Sequence, residues 1–286
     1  MNVATRLGSY TALLGLALAG GLVVGAALGP EPDDDAPAHD PHGDTTDDVH
    51  APGAPAGLSM SERGYTLRLE TTELLATGGP LQFTVTGPDG EPVRDFAVEH
   101  EKELHLIVAS RDLSRYAHLH PVRDDTGRWT ADLPALDAGP YRLFADFRPA
   151  DGPALTLGVD AVVAGDYRPP ARPDASTTTT VDGFDVTLTG EPAPGEDASL
   201  VVQVRRANRA VELQPYLGAN GHLVALREGD LAYLHVHPEH GDTTGDVPFT
   251  VHFPTAGRYR LFFDFQVDGV VRTADFTVDI GHARHG

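Results

Sequence analysis

The chain has 286 residues, no cysteine and two methionines, and its formal net charge is −21 at pH 7. This length accommodates roughly two domains. The acidic balance excludes a general nucleic-acid binder, because neutralising phosphates needs lysine and arginine. Without cysteine, the chain has no disulfides, iron–sulfur clusters or thiolate metal sites, so any transition-metal site has to use imidazole and carboxylate groups.

The first segment is apolar. A run from Tyr10 to Leu28 follows a short start whose one charged side chain is Arg6. Residues 1–29 are therefore predicted to be a signal peptide or a single-span membrane anchor. Pro30 disfavours cleavage directly after Gly29, which favours an uncleaved anchor in the cell membrane. Arg6 before the run and the acidic residues after it fit an orientation with the body outside the cytoplasm. Secretion after cleavage is the alternative.

Residues 30–57 are rich in proline, aspartate and alanine and contain three histidines, His39, His42 and His50, but no lysine or arginine. A segment of this composition buries little apolar surface, so we predict a disordered acidic linker. Two interpretations stay open for it: a solvated stalk, or a weak collector of cations.

Two all-β domains are predicted next. Short alternating apolar runs are separated by glycine, proline and aspartate over residues 58–165 and 177–281, with a proline-stiffened linker at 166–176. Seven short strands in about 100 residues are typical of an immunoglobulin-like sandwich. Asp137-Ala-Gly-Pro-Tyr141 has the form of a tyrosine corner, and Thr255-Ala-Gly-Arg-Tyr259 is its counterpart. The predicted fold is all-β, with two tandem immunoglobulin-like sandwiches after an N-terminal hydrophobic helix.

A histidine pattern occurs once in each predicted domain. A histidine is followed thirteen and fifteen residues later by His-x-His-Pro, and further on by Tyr-Arg-Leu-Phe-x-Asp-Phe. The two copies lie 117 residues apart, which suits a duplicated domain. The matched residues are His105, His118, His120 and Asp146 in the first copy, and His222, His235, His237 and Asp264 in the second.

Strand order predicts that each set of four meets at one end of a sheet. In an immunoglobulin-like sandwich, the strand Leu104–Ala109 lies antiparallel to both Ser114–His118 and Tyr141–Phe147, so its start lies beside the ends of the other two. The tyrosine corner directs Tyr141 inward, which turns Asp146 outward, and His105 shares that outward parity. The same reasoning applies to the second copy.

Three interpretations of these sets stay open. Histidine and carboxylate groups are ligands for Cu(II) and Zn(II), so the sets predict metal sites, with the aspartate as a ligand or as a group that orients one ring. A structural hydrogen-bond network around neutral histidines is the second interpretation. Catalysis or small-ligand binding is the third, but the sequence contains no enzyme signature, so we predict no enzyme and no organic cofactor.

Neighbouring aromatic and acidic residues are given other roles. Tyr116, Tyr233 and Trp129 are predicted to lie in the cores of the sandwiches. Phe144 and Phe262 face outward and are predicted to line the site or to form a contact between the domains. Asp112 and Asp230 are predicted turn residues, and His100 has no counterpart in the second copy.

Three strings resemble the YtkA-like group and related bacterial secreted or membrane-anchored β-sandwich proteins associated with copper and heavy-metal handling. They are Glu103-Leu-His-Leu-Ile-Val, Tyr116-Ala-His-Leu-His-Pro and Gly139-Pro-Tyr-Arg-Leu-Phe-Ala-Asp-Phe. The likeness covers both domains. It implies an extracytoplasmic immunoglobulin-like domain and a copper role for the three histidines of each copy.

The sequence therefore predicts an extracytoplasmic protein that binds Cu(II) or Zn(II) as a buffer, carrier or sensor. The alternative is a cell-surface interaction or structural module whose histidine and aspartate sets are hydrogen-bond networks. The membrane is the partner expected for residues 1–29, and the sequence identifies no protein partner.

Overall fold

A computed structural model describes residues 55–238 and 245–281, apart from the side chains of His235, His237 and Pro238. The described residues belong to one compact unit, residues 49–286, and their regular elements are β-strands. None of them forms a helix with the length and hydropathy needed to cross a bilayer. The predicted membrane anchor and nearly all of the predicted linker lie outside the described residues.

Ten strands make up the first sandwich. They are β1 (Ser61–Glu62), β2 (Tyr65–Leu69), β3 (Glu73–Leu74), β4 (Gly79–Thr86), β5 (Leu104–Ser110), β6 (Tyr116–Leu119), β7 (Val122–Arg123), β8 (Arg128–Leu133), β9 (Gly139–Phe147) and β10 (Leu155–Val163).

The first sandwich has two five-stranded sheets. Their strand orders are β1-β2-β4-β8-β7 and β3-β10-β9-β5-β6. The short strand β3 runs parallel to β10, whereas β9 is antiparallel to both β10 and β5. Trp129 lies in the core between the sheets, 1% exposed and stacked on Phe83, which confirms its predicted packing role. The arrangement is that of an immunoglobulin-like domain.

Nine described strands make up the second sandwich. They are β11 (Thr178–Val181), β12 (Phe184–Thr189), β13 (Asp197–Arg206), β14 (Arg209–Ala210), β15 (His222–Arg227), β16 (Tyr233–Pro238), β17 (Asp246–His252), β18 (Gly257–Val267) and β19 (Val270–Ile280).

One strand joins the two layers of the second sandwich. The strand order among the described residues is β11-β12-β13-β17-β16-β15-β18-β19. The first part of β16 pairs with β15, and its last two residues pair with β17. In the first sandwich the equivalent stretch is divided into β6 and β7, with His120 and Pro121 between them.

Both predicted tyrosine corners are present. The hydroxyl of Tyr141 donates to the carbonyl oxygen of Asp137 at 3.0 Å. The hydroxyl of Tyr259 donates to the carbonyl oxygen of Thr255 at 2.9 Å. Each tyrosine is buried at the start of the strand that it anchors. The parity of β9 and β18 follows from these contacts, because side chains alternate between the faces of a strand.

The two sandwiches share an apolar cluster. Residues of both domains form it, and they are Ile107, Ala109, Leu113, Phe144, Val224, Leu226, Leu231, Tyr233 and Phe262, with Tyr116 packed against them. The predicted domain contact at Phe144 and Phe262 is therefore confirmed. Tyr116 and Tyr233 lie in this shared cluster and not in the separate cores, where the sequence pattern predicted them. Their strands are covered by the opposite sandwich, so an outward-facing tyrosine is also removed from water.

The end of the predicted linker is part of the fold. The amide of Gly57 donates to the carbonyl of Thr156 at 2.9 Å, and its carbonyl accepts from Nε of Arg142 at 2.9 Å. Tyr233 of the second sandwich donates its amide to Ala56 at 3.0 Å. The backbone groups at the end of the predicted linker therefore have partners in both sandwiches.

Replacing each corner tyrosine tests the two domains separately. Tyr141→Phe and Tyr259→Phe should each lower the free energy of unfolding by about 1 kcal/mol, since each removes one hydrogen bond to a backbone carbonyl. Trp129 is the only tryptophan, so its fluorescence reports the first sandwich, and circular dichroism reports both. A urea midpoint for tryptophan fluorescence that is unchanged in Tyr141→Phe would contradict this account.

The close approach of residue 57 requires a glycine at 158. A Cβ atom there would lie 1.9 Å from the carbonyl oxygen of Gly57. Gly158→Ala should therefore displace this segment and accelerate hydrogen exchange of the Gly57 amide, at a cost of about 1–3 kcal/mol. Gly87→Ala is the control, because its Cβ would approach nothing closer than 3.1 Å. Unchanged protection in Gly158→Ala would show that the segment is not held as described.

Candidate metal centre

Three histidines of the first sandwich converge. His105 lies on β5, His118 on β6 and His120 directly after β6. Each offers one ligand nitrogen, and these nitrogens all lie within 4.8 Å of one another. The ring centroids are 5.2 Å apart for His105–His118 and for His105–His120, and 4.7 Å apart for His118–His120. The predicted convergence of strands thus brings the three imidazoles to one place.

The outer nitrogens of two rings donate to fixed acceptors. Nε2 of His105 lies 3.1 Å from the carbonyl oxygen of Glu99, and a carbonyl only accepts, so this nitrogen carries the hydrogen. Nδ1 of His118 lies 2.9 Å from a carboxylate oxygen of Asp264 and carries a hydrogen for the same reason. When both rings are neutral, the inner nitrogens, Nδ1 of His105 and Nε2 of His118, are therefore lone-pair acceptors.

These two acceptors face each other. Nδ1 of His105 and Nε2 of His118 are 3.0 Å apart, so with both rings neutral no hydrogen lies between them. Either an additional proton on one ring or a cation bound by both removes the repulsion. Imidazole nitrogens bind Zn²⁺ at roughly 2.0–2.1 Å, which separates two tetrahedral ligands by about 3.3 Å. The observed spacing is close to that value.

His120 is the third histidine of the group. Its Nε2 is buried and has no hydrogen-bond partner among the described residues. A buried polar atom without a partner costs free energy, and such an atom in a native structure points to a missing water or ion. Three nitrogens with one open position are the ligand set of many zinc sites.

The carboxylates of the two predicted aspartates make contacts that differ from those expected. Asp146 lies opposite His105 in the register of β9 and β5, as predicted, but its carboxylate accepts from Tyr233 at 3.1 Å and from Thr156 at 3.2 Å. Asp264 was predicted to belong to the set of the second copy, yet it binds His118 of the first. Both aspartates therefore make hydrogen bonds between the sandwiches, which treating each repeat separately could not predict.

His222 repeats the environment of His105. It lies opposite Asp264 on β18, and its Nε2 donates to the carbonyl of Tyr216 at 2.9 Å, six residues before it, as Glu99 is before His105. The backbone register places His235 opposite Val224. The side chains of His235 and His237 lie outside the described residues, so the second histidine set stays a prediction.

His100 also belongs to the histidine cluster. Its ring centroid is 5.2 Å from that of His222 and 6.1 Å from that of His105. These three rings, with His118 and Asp146, line a cavity of about 20 Å³, which is room for roughly one water-sized ligand. Repeat matching missed His100 because the second copy has no equivalent. The one feature of the sequence that points to His100 is its position next to Glu99, whose carbonyl oxygen accepts a hydrogen bond from His105.

Burial keeps three of the histidines neutral at pH 7. It lowers the pKa of His105 to about 4, with a further contribution from the neighbouring His118. Burial likewise lowers the pKa values of His120 and His222 to about 3. Neutral imidazoles keep a lone pair, which is the form that binds a metal ion.

A larger crevice of about 260 Å³ lies elsewhere in the first sandwich and includes Asp112 and Tyr167. Its polar groups bind one another: Asp112 accepts from Ser110 and Ser114 and from Tyr167. These contacts confirm the turn role of Asp112. In the second sandwich Asp230 accepts from the amide of Ala232, the same role. The crevice therefore has fewer polar groups available to bind a ligand than the histidine cluster has.

The depressed histidine pKa values predict acid sensitivity without metal. In the unfolded chain histidine takes up a proton as the pH falls below about 6.5, whereas His105, His120 and His222 stay neutral until about pH 3–4. Stability is therefore complete above pH 6.5 and is lost as the pH falls towards 4, by about 1–2 kcal/mol per histidine between pH 7 and 5.

The measurement is urea unfolding in a chelator from pH 7 to 5. His222→Gln should flatten the pH dependence, whereas His252→Gln, which replaces an exposed histidine, should keep it. A wild-type stability that does not change over this range would contradict the assignment of buried neutral histidines.

Comparison with known proteins shows the family. The model of the family described as "Domain of unknown function (DUF8832)" matches twice, at residues 60–168 and 179–282. No curated protein matches the chain. No comparison links the chain to the YtkA-like group or to copper, so that resemblance and its copper role stay predictions.

Similar solved structures include two adhesins and an invasin. Adhesin InvE of Yersinia pseudotuberculosis is 14% identical, with 78% of this chain and 60% of that chain covered and a TM-score of 0.23. Adhesin FdeC of Escherichia coli is 14% identical, with 78% and 66% covered and a TM-score of 0.25. Invasin, a bacterial integrin-binding protein, is 14% identical, with 76% and 39% covered and a TM-score of 0.24.

The chain spans less than two thirds of each of these proteins. At such identities and TM-scores, no activity or partner is transferred from them. The family matches are more informative, since together they cover most of the chain and coincide with the two sandwiches. The chain therefore belongs to the DUF8832 family and carries two tandem immunoglobulin-like copies of its domain.

Proposed function

We propose that the chain is an extracytoplasmic protein that binds one Cu(II) or Zn(II) ion on His105, His118 and His120, as a buffer, carrier or sensor. The observation that carries this proposal is the 3.0 Å approach of two inward-facing ring nitrogens, Nδ1 of His105 and Nε2 of His118. A divalent cation binds both without an additional proton. The buried, unpartnered Nε2 of His120 supplies the third ligand.

The hydrogen bonds around the triad support the same proposal. Histidines that bind metals donate their other ring N–H to a carboxylate or a backbone carbonyl, which sets the tautomer and raises the basicity of the ligand nitrogen. His118 donates to Asp264 and His105 donates to Glu99 in this way. The chain has no cysteine and only two methionines. Because Cu(I) prefers sulfur ligands, this composition favours Cu(II) or Zn(II) over Cu(I).

A second candidate function is a cell-surface interaction module whose histidine and aspartate residues form a structural network. The ion pair available to His118 and Asp264 favours it, since these groups are 2.9 Å apart with side chains only 6% and 3% exposed. A proton on His118 would then donate to His105. The similar solved structures are adhesins and an integrin-binding invasin, names that agree with a surface module.

The location rests on the N-terminal segment. The apolar run before Pro30, preceded by Arg6 and followed by acidic residues, supports a single-span anchor with the sandwiches outside the cytoplasm. Both candidate functions are compatible with this location, so metal uptake distinguishes them better than localisation does.

Metal uptake by the purified full chain tests the proposal. Histidines outside the sandwiches are first replaced by glutamine to remove weak binding, at His39, His42, His50, His282 and His285. Equilibrium dialysis against Zn(II) or Cu(II), followed by elemental analysis, should then show one tightly bound metal ion per chain. His118→Ala should lower the affinity for this ion at least about 100-fold.

Two further variants complete the test. His252→Ala, an exposed histidine of the second sandwich, is the matched control and should bind like the starting protein. His118→Ala combined with His235→Ala tests whether the second copy contributes. Equal uptake by the starting protein and the double variant would exclude the proposed metal function and leave the structural network.

A further inference from the structure

The second sandwich supplies the residue that orients a ligand of the first. Asp264 on β18 accepts from Nδ1 of His118 on β6 at 2.9 Å. The other oxygen of the carboxylate accepts from the hydroxyl of Thr273, its partner in the register of β18 and β19. The carboxylate is thus held by its own sandwich, while it sets the tautomer of a histidine in the other.

That contact exists only when the sandwiches are docked. Around it, Tyr116 of the first sandwich stacks on Phe262 of the second, with centroids 4.2 Å apart and planes 4° from parallel. Tyr233 donates to Asp146 across the same interface. The shared apolar cluster surrounds these contacts, so the burial that docks the domains also places Asp264.

The two repeats differ in their tyrosine contacts at this interface. Asp146 and Asp264 occupy matched positions, opposite His105 and His222 respectively. Asp146 accepts from Tyr233, whereas the matched tyrosine, Tyr116, has a buried hydroxyl without a hydrogen-bond partner among the described residues.

We propose that Asp264 is a positioning residue for the metal centre, and that metal binding and docking of the two sandwiches are linked through it. This inference rests on the proposed metal site. When the domains separate, His118 loses the acceptor that keeps its hydrogen on Nδ1, and Nε2 is no longer held as a lone pair. By reciprocity, a metal ion on Nε2 stabilises the docked arrangement by the same factor.

Substituting Asp264 by asparagine tests the orientation. The amide of Asp264→Asn has the shape of the carboxylate but can donate to Nδ1, which would move the hydrogen of His118 to Nε2. Zn(II) affinity should then fall about 10–100-fold. Nitrogen-15 chemical shifts of the metal-free protein should report the change of tautomer, which a general loss of stability would not produce. Asp279→Asn, which breaks an ion pair with Arg258 at the other end of β18, is the control.

A second variant tests the link between metal binding and docking of the two sandwiches without changing a metal-binding histidine. Phe262→Ala removes the stack on Tyr116 and should weaken Zn(II) binding by about tenfold. Because the chain has no cysteine, spin labels can be placed at two introduced cysteines, at the exposed Leu75 and Val270. In Phe262→Ala the distribution of label distances should be broad without metal and should narrow when Zn(II) is added.

The outcomes separate the two proposals. If the starting protein binds no metal, the proposed function fails and this inference fails with it. If it binds metal, and both Asp264→Asn and Phe262→Ala bind as tightly while the His118 tautomer is unchanged, the inference is overturned and the metal site stands. Weakened binding in both variants, with the tautomer changed in Asp264→Asn alone, is the expected result.

Discussion

Strands β5, β9, β15 and β18 are covered on both faces, and the histidine cluster depends on this burial. In β5, Leu106 packs into the core of its own sandwich, and the alternate residue Ile107 packs into the cluster shared with the other sandwich. An immunoglobulin-like sheet commonly leaves its outer face in water. Here the second sandwich removes that face from solvent, and His105 and His222, which point the same way, become only 7% exposed.

Burial then determines what the imidazoles can do. A buried imidazolium is costly, so the pKa values of His105 and His222 are lowered and the rings keep their lone pairs. Hydrogen bonds to Glu99 and Tyr216 decide which nitrogen keeps the lone pair. The same docking that creates this dry site brings Asp264 to His118. Site chemistry and domain arrangement are thus two consequences of one interface.

Sequence reasoning could place His105 beside Asp146, because antiparallel pairing and alternation determine that register. It could not place Asp264 beside His118, since that contact depends on how two sandwiches dock, and periodicity within a strand carries no information on docking. Matching the repeats also directed attention to shared residues, so His100, present in one copy only, was missed. The fold was more predictable than the site because turns and alternation are local, whereas the site is assembled between domains.

The central claim is that His105, His118 and His120 bind one metal ion directly. X-ray absorption spectroscopy at the zinc edge, on protein loaded with one equivalent, measures this without reference to affinity. We expect three imidazole nitrogens at roughly 2.0–2.1 Å, with one water oxygen in the open position, and the loss of one imidazole in His120→Ala. A spectrum with oxygen ligands alone, or one that is identical in His120→Ala, would contradict the account.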